Sequence, residues 1–121
     1  MPEASGLRMI TAIVPATDMN RTLHFFESLG FTVKRYHDGS QYAFLQMDGQ
    51  YIHVRKADKS EFSLNPGGIY LYVDDVDGFY SRVVSKGIAP LDKPQNYEWK
   101  MREFALSDPD GLIIRIGQNL A

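Results

Sequence analysis

The sequence predicts an α+β fold made of two βαβββ modules, and three observations carry that prediction. A strand–helix–three-strand order occurs twice along the 121 residues. The two occurrences share a register. The 44% hydrophobic and 23% charged content suits one domain that buries most of its apolar surface. The domain is expected to span 1–121, with the first module at about 7–57 and the second at about 66–118.

Met9-Ile10-Thr11-Ala12-Ile13-Val14 is a β-prone run that Pro15 is expected to close, and Thr17-Asp18 then offers helix-capping oxygens. From Met19 to Leu29 the apolar residues Met19, Leu23, Phe26 and Leu29 recur at spacings of four, three and three, so this stretch is an amphipathic helix. Gly30 stands where a left-handed C-cap belongs. Phe31 to Tyr36, Gln41 to Met47 and Gln50 to Arg55 read as strands, the last two joined by the hairpin dipeptide Asp48-Gly49. Polar residues from Lys56 to Pro66 form a linker with a turn at Pro66-Gly67-Gly68.

The second module opens with strand Ile69 to Val73. Asp74, Asp75 and Asp77 favour a helix start, and Val76, Phe79, Tyr80, Val83 and Val84 form an apolar stripe ending at Lys86-Gly87. A weak strand near Ile88, a loop from Pro90 to Asn96, strand Met101 to Ser107, the turn Asp108-Pro109-Asp110-Gly111 and strand Leu112 to Gly117 complete it. Asp18 lies seven residues after Thr11 and Asp75 seven after Gly68; His53 lies four beyond Gly49 and Arg115 four beyond Gly111. Thr11 therefore corresponds to Gly68, and His53 to Arg115.

Lys+Arg 13 against Asp+Glu 15, with no basic block, disfavours nucleic acid as a partner. The absence of cysteine excludes a disulfide framework, a thiolate metal site and a cysteine nucleophile. No apolar run approaches the roughly 18 residues that span a bilayer, and Met1 to Gly6 carry no charged-then-apolar signal. A cytoplasmic protein with no membrane partner is the expectation. Gly-x-Ser-x-Gly and Gly-rich phosphate or dinucleotide loops are also missing.

The repeat, together with Trp99-Lys100-Met101-Arg102-Glu103-Phe104-Ala105-Leu106-Ser107-Asp108-Pro109-Asp110-Gly111, resembles the vicinal oxygen chelate superfamily, within it the bleomycin-resistance-type proteins. Lys100 departs from the glycine usual there. The resemblance covers about Met9 to Gln118 and implies modules curled into a cupped surface, in a homodimer whose clefts borrow from the partner chain.

Catalytic relatives hold a divalent metal through His, Glu or Gln on four strands. The matching positions here are Thr11, His53, Gly68 and Arg115, of which only His53 is a ligand type. Arg115 is a permanent cation and Gly68 has no side chain. One imidazole cannot replace the three or so protein ligands that a catalytic ion takes. No metal and no cofactor are expected.

Alternation then assigns a face to each strand residue. On the side of those four positions fall Tyr42, Phe44, Gln46, Tyr51, His53, Arg55, Tyr70 and Tyr72, and, if Ser107 pairs with Leu112, also Arg102, Phe104, Leu106, Ile113 and Arg115, with Phe104 opposite Arg115. The opposite parity is aliphatic: Ile52, Val54, Ile69, Leu71, Val73, Leu112, Ile114 and Ile116. The aliphatic face suits the helices, and the aromatic face a ligand or dimer cleft. Trp99, Tyr70 and Tyr72 would stack a planar ligand. Arg102 and Arg115 would suit an anionic or neutral aromatic compound.

The expected function is metal-free sequestration of an aromatic or glycopeptide-type compound, with Tyr42, Phe44, Tyr51, His53, Tyr70, Tyr72, Trp99, Arg102, Phe104 and Arg115 lining the site. A metal-dependent lyase or dioxygenase recruiting His53, Gln46 and a partner-chain carboxylate is the alternative. Cofactor-free catalysis by His53 and Arg115, and a ligand-free interaction module, stand beside it.

Overall fold

In the computed structural model, which describes residues 6, 8–61 and 67–120, the first module runs β1 (Ala12–Ala16), α1 (Met19–Leu29), β2 (Thr32–Arg35), β3 (Tyr42–Met47) and β4 (Gln50–Lys56). The second repeats the order with β5 (Gly68–Tyr72), α2 (Val76–Ser85), β6 (Gln95–Asn96), β7 (Met101–Ser107) and β8 (Ile113–Asn119). Each module forms its own four-stranded mixed sheet, ordered β1-β4-β3-β2 and β5-β8-β7-β6. The topology is the same in both. The expected module limits at 7 and 66, and Pro66 of the linker turn, lie outside the described residues; the linker's described part forms a single 3-10 turn at Lys59–Glu61.

Capping chemistry sets the helix starts. The Asp18 carboxylate accepts from the Arg21 amide at 3.1 Å, and Asp75 accepts from the Gly78 amide at 3.1 Å. Gly30, at φ 119°, supplies the left-handed cap that ends α1. The aspartates at the start of α2 thus act on the helix: Asp75 caps it, and Asp77 pairs with Arg102.

Strand pairing reproduces the repeat. Ile13 sits beside His53 in parallel β1/β4, and Tyr70 beside Arg115 in parallel β5/β8. Counting back two residues on each edge strand aligns Thr11 with Gly68. Pro15, expected to end the first strand, lies inside β1, paired with Arg55. Its missing N–H is tolerated because β1 is an edge strand. The weak strand expected near Ile88 is instead β6, at Gln95–Asn96. Ile88 donates its amide to Val83, prolonging the end of α2.

The second hairpin carries the largest correction. Asp48-Gly49, both at positive φ, make the expected two-residue turn and pair Phe44 with His53. After β7, however, the Asp108 amide donates to Leu112 at 2.9 Å, and Ser107 pairs with Ile113. The loop therefore holds three residues, Pro109-Asp110-Gly111, one fewer than a four-residue turn would. The buried Asp108 carboxylate drives this closure by accepting from the Asp110 and Leu112 amides, both at 2.9 Å. One residue of slip exchanges the faces of β7 relative to β8.

Aliphatic residues of the predicted parity pack under the helices. Val54, Ile114 and Ile116 are fully buried with Leu23, Phe26, Val76 and Val83 in a core cluster spanning both modules. The Asp110 carboxylate adds a polar clasp, taking the Thr17 amide at 3.0 Å and hydroxyl at 2.6 Å. Among the described residues no helix is long and apolar enough to cross a membrane.

Candidate functional site

The side chains that do not pack under the helices gather into two groups, one on each sheet. On the first, β3 and β4 align Tyr42, Phe44 and His53. Phe44 meets the His53 ring edge-on at 5.0 Å and Tyr42 at 5.5 Å, and the Tyr42 phenol shares a 2.8 Å hydrogen bond with His53 Nδ1. Tyr36 extends the group at 6.4 Å from Phe44. Tyr51, on the same strand face, is exposed and lines an open groove of about 1010 Å³ between the modules, where Tyr70 and Tyr72 also lie.

On the second sheet the organiser is Glu103, whose side chain is only 6% exposed. Its Oε1 accepts from the Tyr70 hydroxyl at 2.9 Å and from the Trp99 indole N–H at 3.2 Å, while Arg115 Nη1 stands 3.8 Å from Oε2. Burial first, then the bond to Glu103 and its charge, push the Tyr70 phenol up to about 12. It stays a donor at neutral pH. Because the folded value lies above the ordinary 10.0, the stability linked to this proton is intact below 10 and is lost as pH rises toward 12. The phenol lies directly over Gly117, where a Cβ would strike its oxygen.

Trp99 is 57% exposed yet doubly oriented, by Glu103 and by parallel stacking on Tyr97 at 4.6 Å and 12°. Tyr72, 77% exposed, tilts against Tyr70 at 4.7 Å. A second cavity of about 360 Å³ beside Gly68, Tyr70 and Arg115 adjoins this group. Lys100 adopts φ 66° in the turn that presents Trp99, a left-handed conformation that favours glycine. Lys100→Gly is expected to raise stability by about 0.5–1 kcal/mol, left-handed strain being relieved at some cost in chain entropy. Thermal melts check this, and a lower midpoint would show that the lysine side chain supports the turn.

Three residues expected on this face are elsewhere: Phe104, Arg102 and Leu106, the last fully buried opposite Ile114. Phe104 is on the helix side, 1% exposed and edge-on to Tyr80 of α2 at 5.2 Å; Ala105, not Phe104, stands opposite Arg115. Arg102 also turns to α2, holding Asp77 through Nε and Nη2 at 3.0 Å and Asn96 at 3.0 Å. That guanidinium keeps the Asp77 carboxyl below its ordinary range. All three displacements follow from the three-residue loop. The same slip hid Glu103, which pairs with Gly117 and shares the face of Arg115; Tyr97 follows β6 in a stretch that reads as loop, and Tyr36, the last residue of the expected strand Phe31 to Tyr36, lies one residue past the end of β2. The expected pair of arginines is reduced to one, and that one faces a carboxylate.

The four positions that hold a metal in catalytic relatives do not fit one here. A Cβ on Gly68 would meet the Ile113 carbonyl oxygen at 2.6 Å, Arg115 is a cation, and Thr11 brings one buried hydroxyl. His53 is engaged by Tyr42. Among the described residues no three His, Cys, Asp or Glu side chains converge. Arg115 lines the small cavity while His53 lines neither cavity, so neither brings the two together for proton-transfer chemistry.

Repeated βαβββ units with aliphatic faces under their helices and aromatic faces away from them define a paired-module α+β protein. Its fold resembles two crystal structures: a bleomycin-binding protein complexed with bleomycin (28% identity, 93% of this chain and 99% of that one, TM-score 0.75) and the bleomycin resistance determinant encoded on transposon Tn5 (25% identity, 95% and 100%, TM-score 0.79). The Bleomycin resistance protein of Klebsiella pneumoniae is 28% identical over 125 residues, 90% of each chain. The chain belongs to the Glyoxalase/Bleomycin resistance protein/Dioxygenase superfamily, whose profile matches residues 8–116.

Proposed function

We propose that this protein is a metal-free binder that sequesters a small aromatic or glycopeptide-type compound in the cytoplasm, working as a homodimer whose clefts lie between the aromatic faces of two chains. The observation that carries the reading is Trp99: a large ring left mostly in solvent, yet held by a buried carboxylate and stacked on Tyr97. Fixing an exposed ring costs side-chain entropy, and a flat ligand that inherits the fixed platform recovers that cost. Kinship with bleomycin-binding proteins supports an antibiotic as the compound. Exposed Ile13, Tyr72 and Trp99 on the helix-free faces support self-association.

Trp99 is the only tryptophan, so its fluorescence reports directly on the site. Titration with bleomycin should give a saturable change, and Trp99→Ala should weaken binding about five- to tenfold by calorimetry, the value of one stacked ring pair. No saturable change with bleomycin or with a panel of planar aromatics would count against the reading. Sedimentation of the same sample tests the dimer.

A further inference from the structure

The two modules meet through two kinds of contact that differ in what they fix. The apolar core runs across both, and because apolar attraction has no preferred direction it holds the modules together without setting the angle between them. Directional bonds set angles. Three of these reach from the first module to one carboxylate of the second. Asp110 Oδ2 accepts from the Thr17 amide at 3.0 Å, and Oδ1 accepts from the Thr17 hydroxyl at 2.6 Å and from Arg21 Nη2 at 3.2 Å. The Asp110 side chain is only 8% exposed, so water competes weakly for these bonds. Both ends of the clasp are themselves anchored. Lys56 Nζ donates to the Thr17 carbonyl at 2.6 Å, tying the end of β4 to the same residue, and the Asp110 amide donates to the buried Asp108 carboxylate.

The clasp and the open groove lie at opposite ends of the elements that carry them. Thr17 and Arg21 stand at the start of α1, whereas Leu29, Gly30 and Phe31, at its end and just beyond, line the groove. With 11 residues α1 is about 16 Å long. In the second module Asp110 precedes β8, whose first residue Ile113 pairs with Gly68 at the start of β5; Tyr72 and Val73, at and just past the other end of β5, line the groove. A tilt of about 12° about the clasp therefore moves the groove end of α1 by about 3 Å.

We infer that Asp110 is a positioning residue for the binding site: its carboxylate fixes the tilt of the first module against the second, and with it the width of the groove that holds Tyr51 on one wall and Tyr70 and Tyr72 on the other. The inference rests on the binding reading above and adds to it a residue that does not itself line the groove. The carboxylate is what the position demands. All three groups that Asp110 meets are donors, and an asparagine amide would set its own N–H against one of them. Loss of the clasp leaves the modules folded and in apolar contact but sampling wider angles, so a compound that touches both walls binds only the fraction of molecules at the parent width.

The chain has no cysteine, so Gln50→Cys and Arg82→Cys, at exposed positions on opposite walls of the groove, take a pair of spin labels without background. Pulsed electron paramagnetic resonance on labelled chain diluted into unlabelled chain reads the distance across one groove. A single narrow distance is expected when the clasp is intact, and a distribution broadened or shifted outward by about 3 Å in Asp110→Asn. Thr17→Val, which removes the 2.6 Å bond and keeps the amide, should act in the same direction. Arg35→Met, which removes a bond to Asn20 inside the first module, should leave the distance as it was. Destabilisation alone lowers the melting midpoint without moving this distance. An unmoved distance in both Asp110→Asn and Thr17→Val therefore overturns the inference, as does an equal shift in Arg35→Met; if Asp110→Asn does not fold, Thr17→Val decides. With bleomycin as the probe, unlabelled Asp110→Asn should bind about three- to tenfold more weakly than the parent. Parent affinity despite a moved distance overturns the positioning role. Bleomycin that fails to bind the parent counts against the binding reading, and the clasp then stands or falls on the distance alone.

Discussion

Phe104→Ala is expected to destabilise the protein by about 3–5 kcal/mol, a large fraction of the roughly 5–15 kcal/mol that a native domain holds. The ring is almost completely enclosed, edge-on to Tyr80, in the layer where Leu106, Ile114 and Ile116 meet α2. Removing it strips the contacts of a whole aromatic side chain and leaves a cavity that sheet and helix cannot both close over. Thermal denaturation followed by circular dichroism should show the midpoint falling by about 10 °C or more. Tyr72→Ala, at the end of β5 and in open solvent, should stay within about 0.5 kcal/mol of the parent. A Phe104→Ala protein that melts normally yet loses ligand affinity would return the ring to the cleft and undo the β7 register.

That register marks where sequence reasoning reached its limit. Met19, Leu23, Phe26 and Leu29 specify α1 to the residue, because a helix is a local object whose period, cap and stop lie within one dozen positions. Asp48-Gly49 likewise specify the first hairpin, since both residues tolerate positive φ and a two-residue turn leaves one pairing. The aliphatic parity of β4, β5 and β8 was readable for the same reason. Asp108-Pro109-Asp110-Gly111, by contrast, can close as a loop of three or of four residues. The choice falls to the Asp108 carboxylate, which folds back onto the Leu112 amide.

Everything on β7 follows that choice. With three residues in the loop, Phe104 and Arg102 go to the helix and Glu103 comes to the aromatic face. The residues whose face was legible in advance are those on strands whose pairing depends on local signals: Tyr42, Phe44, Tyr51, His53, Tyr70, Tyr72 and Arg115. Glu103, the group that joins Tyr70, Trp99 and Arg115, was invisible because its face depends on a carboxylate five residues downstream. Pro15 shows the same limit in milder form, a strand breaker made harmless by the accident of sitting on an edge.

Gly68→Glu, which places a metal-ligand type at one of the four positions used by catalytic relatives, is expected to destabilise the fold by about 2–3 kcal/mol and to create no ion-binding site. The backbone decides both outcomes. A Cβ at this position comes within 2.6 Å of the Ile113 carbonyl oxygen, the residue with which Gly68 pairs across β5 and β8, so the two strands must separate before any side chain fits. Separation costs ladder hydrogen bonds at the start of β5, and the new carboxylate then finds the Arg115 guanidinium as its nearest strong partner, an interaction that competes with any divalent cation. His53 cannot compensate alone. Melting Gly68→Glu with and without nickel, zinc or manganese measures both effects: a lower midpoint that no ion restores is expected, and an ion-dependent rise of several degrees would show that the donor set of this site was misjudged. Strand spacing as well as side-chain identity therefore opposes a ligand at this position, and a bulge or shift in β5 would be needed before one could be added.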